Sequence, residues 1–291
     1  MNAPVWRTAR FDIDLSRPRV MGIVNATPDS FSDGGRFADP AAACAHCERL
    51  LHEGADLLDI GGESTRPGAA APTAAEELAR VLPVVRHAVT LGVPVSVDTS
   101  QPEVMRAVLD AGADIVNDVR ALQRPGALDA VAAHARAGVC LMHLRGEPGS
   151  MQQQAHYADV VAEVADFLDR RVRAVEAAGV ARGRIVLDPG IGFAKTAEHN
   201  LLLLARQREL LAAGLPLLVG WSRKSTLGAL TGRDAGQRVA ASVAAAVLAV
   251  ERGASVVRVH DVAPTVDALK VWHAVAAHGR APAPAAGTIP D

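Results

Sequence analysis

An arginine and a histidine, Arg258 and His260, stand two residues apart at the end of an apolar run that closes on Asp261. Alternate residues of a strand project from the same face, so both side chains point one way and form a compact anion site. A second set of polar residues ends other apolar runs: Asp98, Asn117, Asp188 and Lys224. Carboxylate and amide oxygens accept paired hydrogen bonds from a planar heterocycle with adjacent N–H groups, and a lysine ammonium donates to a ring carbonyl or nitrogen. Each residue taken singly has a plainer role open to it. Arg258 and His260 can simply pair with Asp261 and Asp118, and each carboxylate can cap a helix. Together at one mouth they describe a small-molecule site with an anion clamp beside it.

The elements that position them show as repetition. Apolar runs at 20–24, 57–60, 93–97, 115–116, 139–142, 185–187, 217–219 and 256–259 break off in turn at Asn25, Gly61-Gly62-Glu63, Asp98, Asn117-Asp118, His143, Asp188, Gly220-Trp221-Ser222-Arg223-Lys224 and Arg258 with His260. Continuous β-branched and Leu runs read as strands buried on both faces. Helical apolar stripes separate them at 40–52, 73–91, 101–111, 125–137, 157–178, 197–213, 235–252 and 262–278. The alternation predicts an α/β fold, a single-domain (β/α)8 TIM barrel, whose catalytic groups sit at the carboxyl ends of the strands. Thr73, Ser100 and Asp261 read as helix caps, and Gly54, Gly92, Gly112, Gly138, Gly214 and Gly253 as left-handed residues that end helices. Connections 26–39 and 63–72 are longer than the architecture needs and dense in Thr, Ser, Asp, Gly and Arg, which predicts mobile active-site loops. The expected boundaries are an N-terminal extension at 1–18, the barrel at 19–279, and a disordered Ala- and Pro-rich tail at 280–291.

A chain of 291 residues with 49% hydrophobic content can bury one large core. A net charge of -2 leaves no basic stripe for a nucleic-acid backbone, so no nucleic-acid partner is expected. No long uncharged apolar stretch and no signal-like N-terminus occur, which predicts a cytoplasmic protein without membrane contact. Cys44-Ala45-His46-Cys47 is nominally CxxC, but it falls inside a predicted helix with no second ligand pair, so these read as small buried helix residues. Trp221 reads as packing, and the glycines of 190–195 lack the spacing of a phosphate loop.

Several stretches resemble the signatures of the dihydropteroate synthase family. They are 21–35, which opens Met21-Gly22-Ile23-Val24-Asn25-Ala26-Thr27-Pro28-Asp29, then Asp59-Ile60-Gly61-Gly62-Glu63-Ser64-Thr65-Arg66-Pro67-Gly68, Leu187-Asp188-Pro189-Gly190-Ile191-Gly192-Phe193, Ser222-Arg223-Lys224-Ser225, and Arg258-Val259-His260-Asp261-Val262. The resemblance covers about 19–272. It implies condensation of 6-hydroxymethyl-7,8-dihydropterin pyrophosphate with 4-aminobenzoate to give 7,8-dihydropteroate and pyrophosphate, with Mg2+ on the leaving group and Asn25 as the metal residue. On this resemblance the pterin pocket falls on Asp98, Asn117, Asp188 and Lys224, with Met142, Phe193 and Gly220 around the ring. The anion site falls on Asn25, Arg66, Arg258 and His260, and the aminobenzoate end on Thr65, Arg66, Pro67, Phe193, Lys224 and Ser225. Catalytic roles fall on Asp98, Lys224, Arg258 and His260, and a homodimer is implied, for which the apolar faces of 239–250 and 262–271 offer a surface.

The residues agree with that chemistry. Displacing pyrophosphate from a methylene on an electron-rich ring favours C–O cleavage before attack, and fixed charges assist it: Asp98 and Asp188 toward the pterin, Arg258 and His260 toward the leaving group. Ser222 and Ser225 lack a neighbouring base pattern, so no acyl-enzyme is expected. A pterin-dependent methyltransferase domain would need neither the pyrophosphate clamp nor the long polar loops. A non-catalytic pterin-binding paralogue would show losses at Asn25, Thr65, Arg66, Lys224, Arg258 or His260.

Overall fold

The computed structural model describes residues 4–27, 40–63, 71–147 and 151–278. Strands β1 (Val5–Arg7) and β2 (Asp12–Asp14) form an antiparallel hairpin. Eight further strands run parallel: β3 (Arg19–Asn25), β4 (Leu57–Gly61), β5 (Val95–Asp98), β6 (Ile115–Asp118), β7 (Gly138–Met142), β8 (Ile185–Asp188), β9 (Leu217–Val219) and β10 (Ala254–Val259). They close into a barrel in the order β10-β3-β4-β5-β6-β7-β8-β9. The helices are α1 (Pro40–His52), α2 (Ala74–Val89), α3 (Pro102–Asp110), α4 (Ala127–Ala132), α5 (Val160–Ala177), α6 (Ala197–Ala205), α7 (Ser225–Thr231), α8 (Val239–Glu251) and α9 (Val262–His278). The expected (β/α)8 barrel is therefore present. Among the described residues no helix is long and apolar enough to cross a membrane.

Thr73 caps α2 in a reciprocal capping box with Glu76, as its type and spacing predict. Two other expected caps do not form. The Ser100 hydroxyl donates to Asp118 instead, so the cap position falls to Gln101, which makes no side-chain bond there. Asp261 is held by the Arg223 guanidinium at 2.6 Å. Gly138 is not a left-handed terminator either: it opens β7, and a Cβ there would stand 3.2 Å from Trp6 Nε1. The segment after β9 winds into the short α7, which ends at Gly232 with φ 68°. Regular α8 then starts only at Val239, after a 3-10 turn at Ala235–Gln237. The helix expected over 125–137 shrinks to the single turn and a half of α4.

Trp6 explains why Gly138 is small. Inward residues of seven barrel strands, Met21, Leu57, Ile115, Cys140, Val186, Leu218 and Val256, pack as one apolar layer with Trp6, Ile13 and Leu15 of the hairpin segment. Trp6 is fully buried and donates its indole N–H to Arg184 O at 2.9 Å. Residues read as an N-terminal extension thus form the barrel floor. Side chains alternate along a strand, so the next inward residue lies two positions on and one layer higher. Leu57 is followed by Asp59, Ile115 by Asn117, Val186 by Asp188 and Val256 by Arg258, and a polar layer sits directly above the apolar one.

Candidate active site

Above that polar layer a cavity of about 1170 Å³ opens at the carboxyl ends of the strands. Asn25, Asp98, Asn117, Asp188, Lys224, Arg258 and His260 all line it, as do Met142, Phe193, Gly220 and Ser225. Every expected site residue within the described residues is therefore at one mouth. Thr65, Arg66 and Pro67 lie outside the described residues, together with most of both long connections and the tail beyond 278.

Arg258 ties the floor of the cavity together. Its Nε donates to Asp59 Oδ2 at 2.5 Å and its Nη2 to Asp98 Oδ2 at 3.0 Å, while Nη1 has no partner among the described residues. Asn117 Nδ2 donates to the same Asp59 oxygen at 3.1 Å, which turns its own carbonyl oxygen toward the cavity. Asp59 is fully buried and was absent from the expected site. A carboxylate inside the apolar run of β4 is its signal, since such a group is tolerated in a core only when paired. Burial pushes the Asp98 carboxyl above the usual carboxylate range, and the Arg258 guanidinium opposes that rise.

Asp188 accepts from Gly190 N at 2.7 Å through Oδ1, which leaves Oδ2 available on the cavity side. Burial raises its pKa too, against the Gly190 N–H and the charge of Lys224. Lys224 lies with its ammonium 4.3 Å from the Phe193 ring centroid, and burial lowers it to about 8, opposed by Asp188. Gly192 makes that approach possible, since a Cβ there would stand 3.0 Å from Lys224 Cδ.

His260 is governed by Ser222. The Ser222 oxygen accepts from His260 N at 3.1 Å and lies 3.0 Å from His260 Nδ1. A Ser222 hydroxyl that donates to Nδ1 leaves the ring proton on Nε2. Burial, followed by the charges of Arg258 and Arg223, depresses the imidazole to about 3. His260 therefore rests as a neutral imidazole beside Arg258. The plainer pairings do not occur. Asp261 belongs to Arg223, and Asp118 to Ser100 and the backbone of Arg120 and Leu122. His143 follows Met142 in the chain, faces away from the cavity, and packs edge-on to Phe167 at 4.9 Å. Cys47 is a buried helix residue whose thiol burial pushes up to about 12, and Trp221 is buried as packing.

The arrangement has a clear chemical reading. Three acceptors and one ammonium surround the deep end, suited to a flat ring with an amino-pyrimidinone edge, and the Arg258 and His260 donors stand to one side, suited to an anion. Residues 21–260 match the family described as pterin binding enzymes. The dihydropteroate synthase of Neisseria meningitidis serogroup B is 53% identical over 277 residues, covering 93% of this chain and 97% of its own. A solved structure of Xanthomonas albilineans dihydropteroate synthase with 4-aminobenzoic acid has a TM-score of 0.89 at 55% identity, covering 95% of this chain and 99% of that one. The Burkholderia cenocepacia dihydropteroate synthase complexed with 7,8-dihydropteroate has a TM-score of 0.86 at 49% identity, covering 96% and 99%.

Proposed function

Because the chain belongs to the pterin binding enzyme family, and within it to the dihydropteroate synthases, we propose that it condenses 6-hydroxymethyl-7,8-dihydropterin pyrophosphate with 4-aminobenzoate, releasing pyrophosphate and 7,8-dihydropteroate. The observation that carries this reading is the placement of the ring acceptors and the anion donors on one cavity. Asp188, Asn117 and Asp98 hold the pterin through its N–H groups, and Lys224 donates to its carbonyl side. As the C–O bond opens, positive charge spreads into the ring against Asp98 and Asp188, and negative charge gathers on the pyrophosphate beside Arg258 and the His260 N–H. The amine, seated between Phe193 and Ser225, then forms the C–N bond and sheds a proton. A dissociative route of this kind needs no covalent nucleophile. Incubating the protein with both substrates and Mg2+ and measuring dihydropteroate tests the proposal; pterin binding without product would overturn it.

Mg2+ is part of the same proposal. Among the described residues no group of three or more His, Cys, Asp or Glu side chains could cage a metal ion, whereas the Asn25 amide faces the cavity and makes no side-chain hydrogen bond to them. One neutral oxygen donor fits a hard cation shared with a diphosphate rather than one held by the protein alone. Bound there, Mg2+ would neutralise charge on the leaving group. A cytoplasmic setting accords with the buried thiols of Cys47 and Cys140, which form no disulfide. Pairing of two copies is supported by Leu248, Val271 and Val275, large apolar side chains left exposed on α8 and α9. Sedimentation velocity reads it directly, and a monomer at micromolar concentration would remove it.

Neutral His260 has a testable consequence. Gln carries an amide N–H at nearly the reach of Nε2, so His260→Gln should stay within about tenfold of the parent in kcat/KM, with His260→Ala falling further. An equal loss in both variants would mean that the imidazolium itself is required.

A further inference from the structure

Lys195 is almost completely buried, 3% exposed, yet no carboxylate lies within ion-pair distance of it among the described residues. Its ammonium folds back on its own loop, donating to Gly190 O at 3.0 Å and Phe193 O at 2.9 Å, and reaches across to His143 Nδ1 at 2.9 Å. His143 is bound in turn to the neighbouring strand end, its backbone N–H donating to Asp188 O at 2.9 Å. An unpaired ammonium in a core is costly unless its protons are all used, and these three bonds use all three. Burial lowers Lys195 to about 7 and His143 to about 2, so the imidazole is neutral and accepts.

The clamp holds a backbone that would not adopt its shape unaided. Ala194 carries φ 49°, in the left-handed region that costs a residue with a Cβ, and it is fully buried. At Gly190 the loop runs so close to His143 that a Cβ would fall 2.0 Å from the His143 carbonyl oxygen. Two more bonds fix the loop from outside: Tyr157 Oη donates to Ala194 O at 3.0 Å, and Gly192 N to Asn200 Oδ1 at 2.8 Å. Asn200 passes the connection on to Thr226 of α7, the helix that opens with Ser225. The loop lines the cavity with Ile191 and Phe193, and the Phe193 ring lies under Lys224.

We propose that Lys195 is a positioning residue for the arylamine: by tying Gly190 and Phe193 to the end of β7 it fixes the ring of Phe193 against Lys224 and so shapes the 4-aminobenzoate end of the site. The inference rests on the function proposed above, and it separates from it because the parent enzyme must first show turnover. Asn117 and Asp98 stand on strands that Lys195 does not touch, and Asp188 is reached only through the backbone of Gly190 and His143, so the displacement falls first on Phe193 and less on the pterin end.

Lys195→Met keeps the length of the side chain and removes every donor. Its KM for 4-aminobenzoate should rise about tenfold or more, and severalfold further than the KM for the pterin pyrophosphate. A purely structural role predicts instead that both affinities fall with stability. The coupling is read by a double-mutant cycle: Phe193→Ala should raise the 4-aminobenzoate KM in the parent and add little in the Lys195→Met background, because the ring is already displaced. Lys195→Gln, which keeps two donors, should recover part of the loss, and it takes the place of Lys195→Met in the cycle if that variant does not fold. Equal losses at both substrates, or full additivity with Phe193→Ala, would overturn the assignment.

Discussion

Replacing Arg258 by alanine should slow pyrophosphate departure roughly a hundredfold or more, the scale on which removal of a preorganised charge stabiliser is felt. The structure adds a second reason to the one its position suggests. Arg258 is the common partner of Asp59 and Asp98, so its loss leaves two carboxylates facing one another beneath the pterin as well as removing a donor from the leaving group. Ser225→Ala should behave differently, weakening 4-aminobenzoate and leaving departure largely intact, because Ser225 is exposed at the start of α7. Single-turnover release of pyrophosphate, with and without the amine, separates the two. If Arg258→Ala releases pyrophosphate at the parental rate and loses only amine affinity, the clamp belongs to the other end of the cavity.

Asp188→Asn should cost on the order of 2 to 4 kcal/mol in pterin binding, the penalty of leaving buried donors facing a donor. One oxygen of Asp188 is already committed to Gly190 N–H at 2.7 Å. An asparagine must turn its NH2 either toward that N–H or toward the pterin, and each choice sets donor against donor. Stability should move the other way. Burial raises the Asp188 pKa in the folded protein, so the ionised carboxylate is a destabilising group at all pH values above its unfolded pKa, and a neutral amide relieves that cost. Calorimetric pterin affinity and the thermal midpoint, taken together, test both halves; unchanged affinity would remove Asp188 from its role.

Much of this was legible before any coordinates. Strand order, strand ends and the residues that reach the mouth follow from apolar runs broken by polar residues, because a barrel converts each strand terminus into a position on one rim. Less legible were groups whose partners lie far away in the chain. Asp59 reads as an oddity in an apolar strand, and only closure of the barrel brings Arg258 and Asn117 to it across 199 and 58 residues. Lys195 and His143 meet over 52 residues, and nothing in Phe193-Ala194-Lys195 distinguishes an inward lysine from a solvated one. The hairpin was missed for a related reason: three-residue strands carry too little periodicity to stand out, although Trp6 and Ile13 are the residues that seal the barrel. The neutral state of His260 needed the positions of two arginines, which sequence spacing does not give.

That sealed end has a consequence for traffic. With Trp6 filling one end, the cavity among the described residues is a well closed from below, so in the proposed reaction both substrates enter, and both products leave, at the carboxyl ends of the strands. In the proposed reaction the pterin sits deep, around Asp98, Asn117 and Asp188, and the amine beside Phe193 and Ser225, so an arylamine that arrives first would stand in the path of the pterin. The proposed seats therefore predict pterin pyrophosphate before amine, with early amine a competitor for passage, an order that product-inhibition kinetics reads directly. An enzyme with an open channel could load its substrates from opposite sides; this one trades that freedom for a floor of tryptophan and aliphatic side chains that keeps bulk water from reaching the reacting carbon from below.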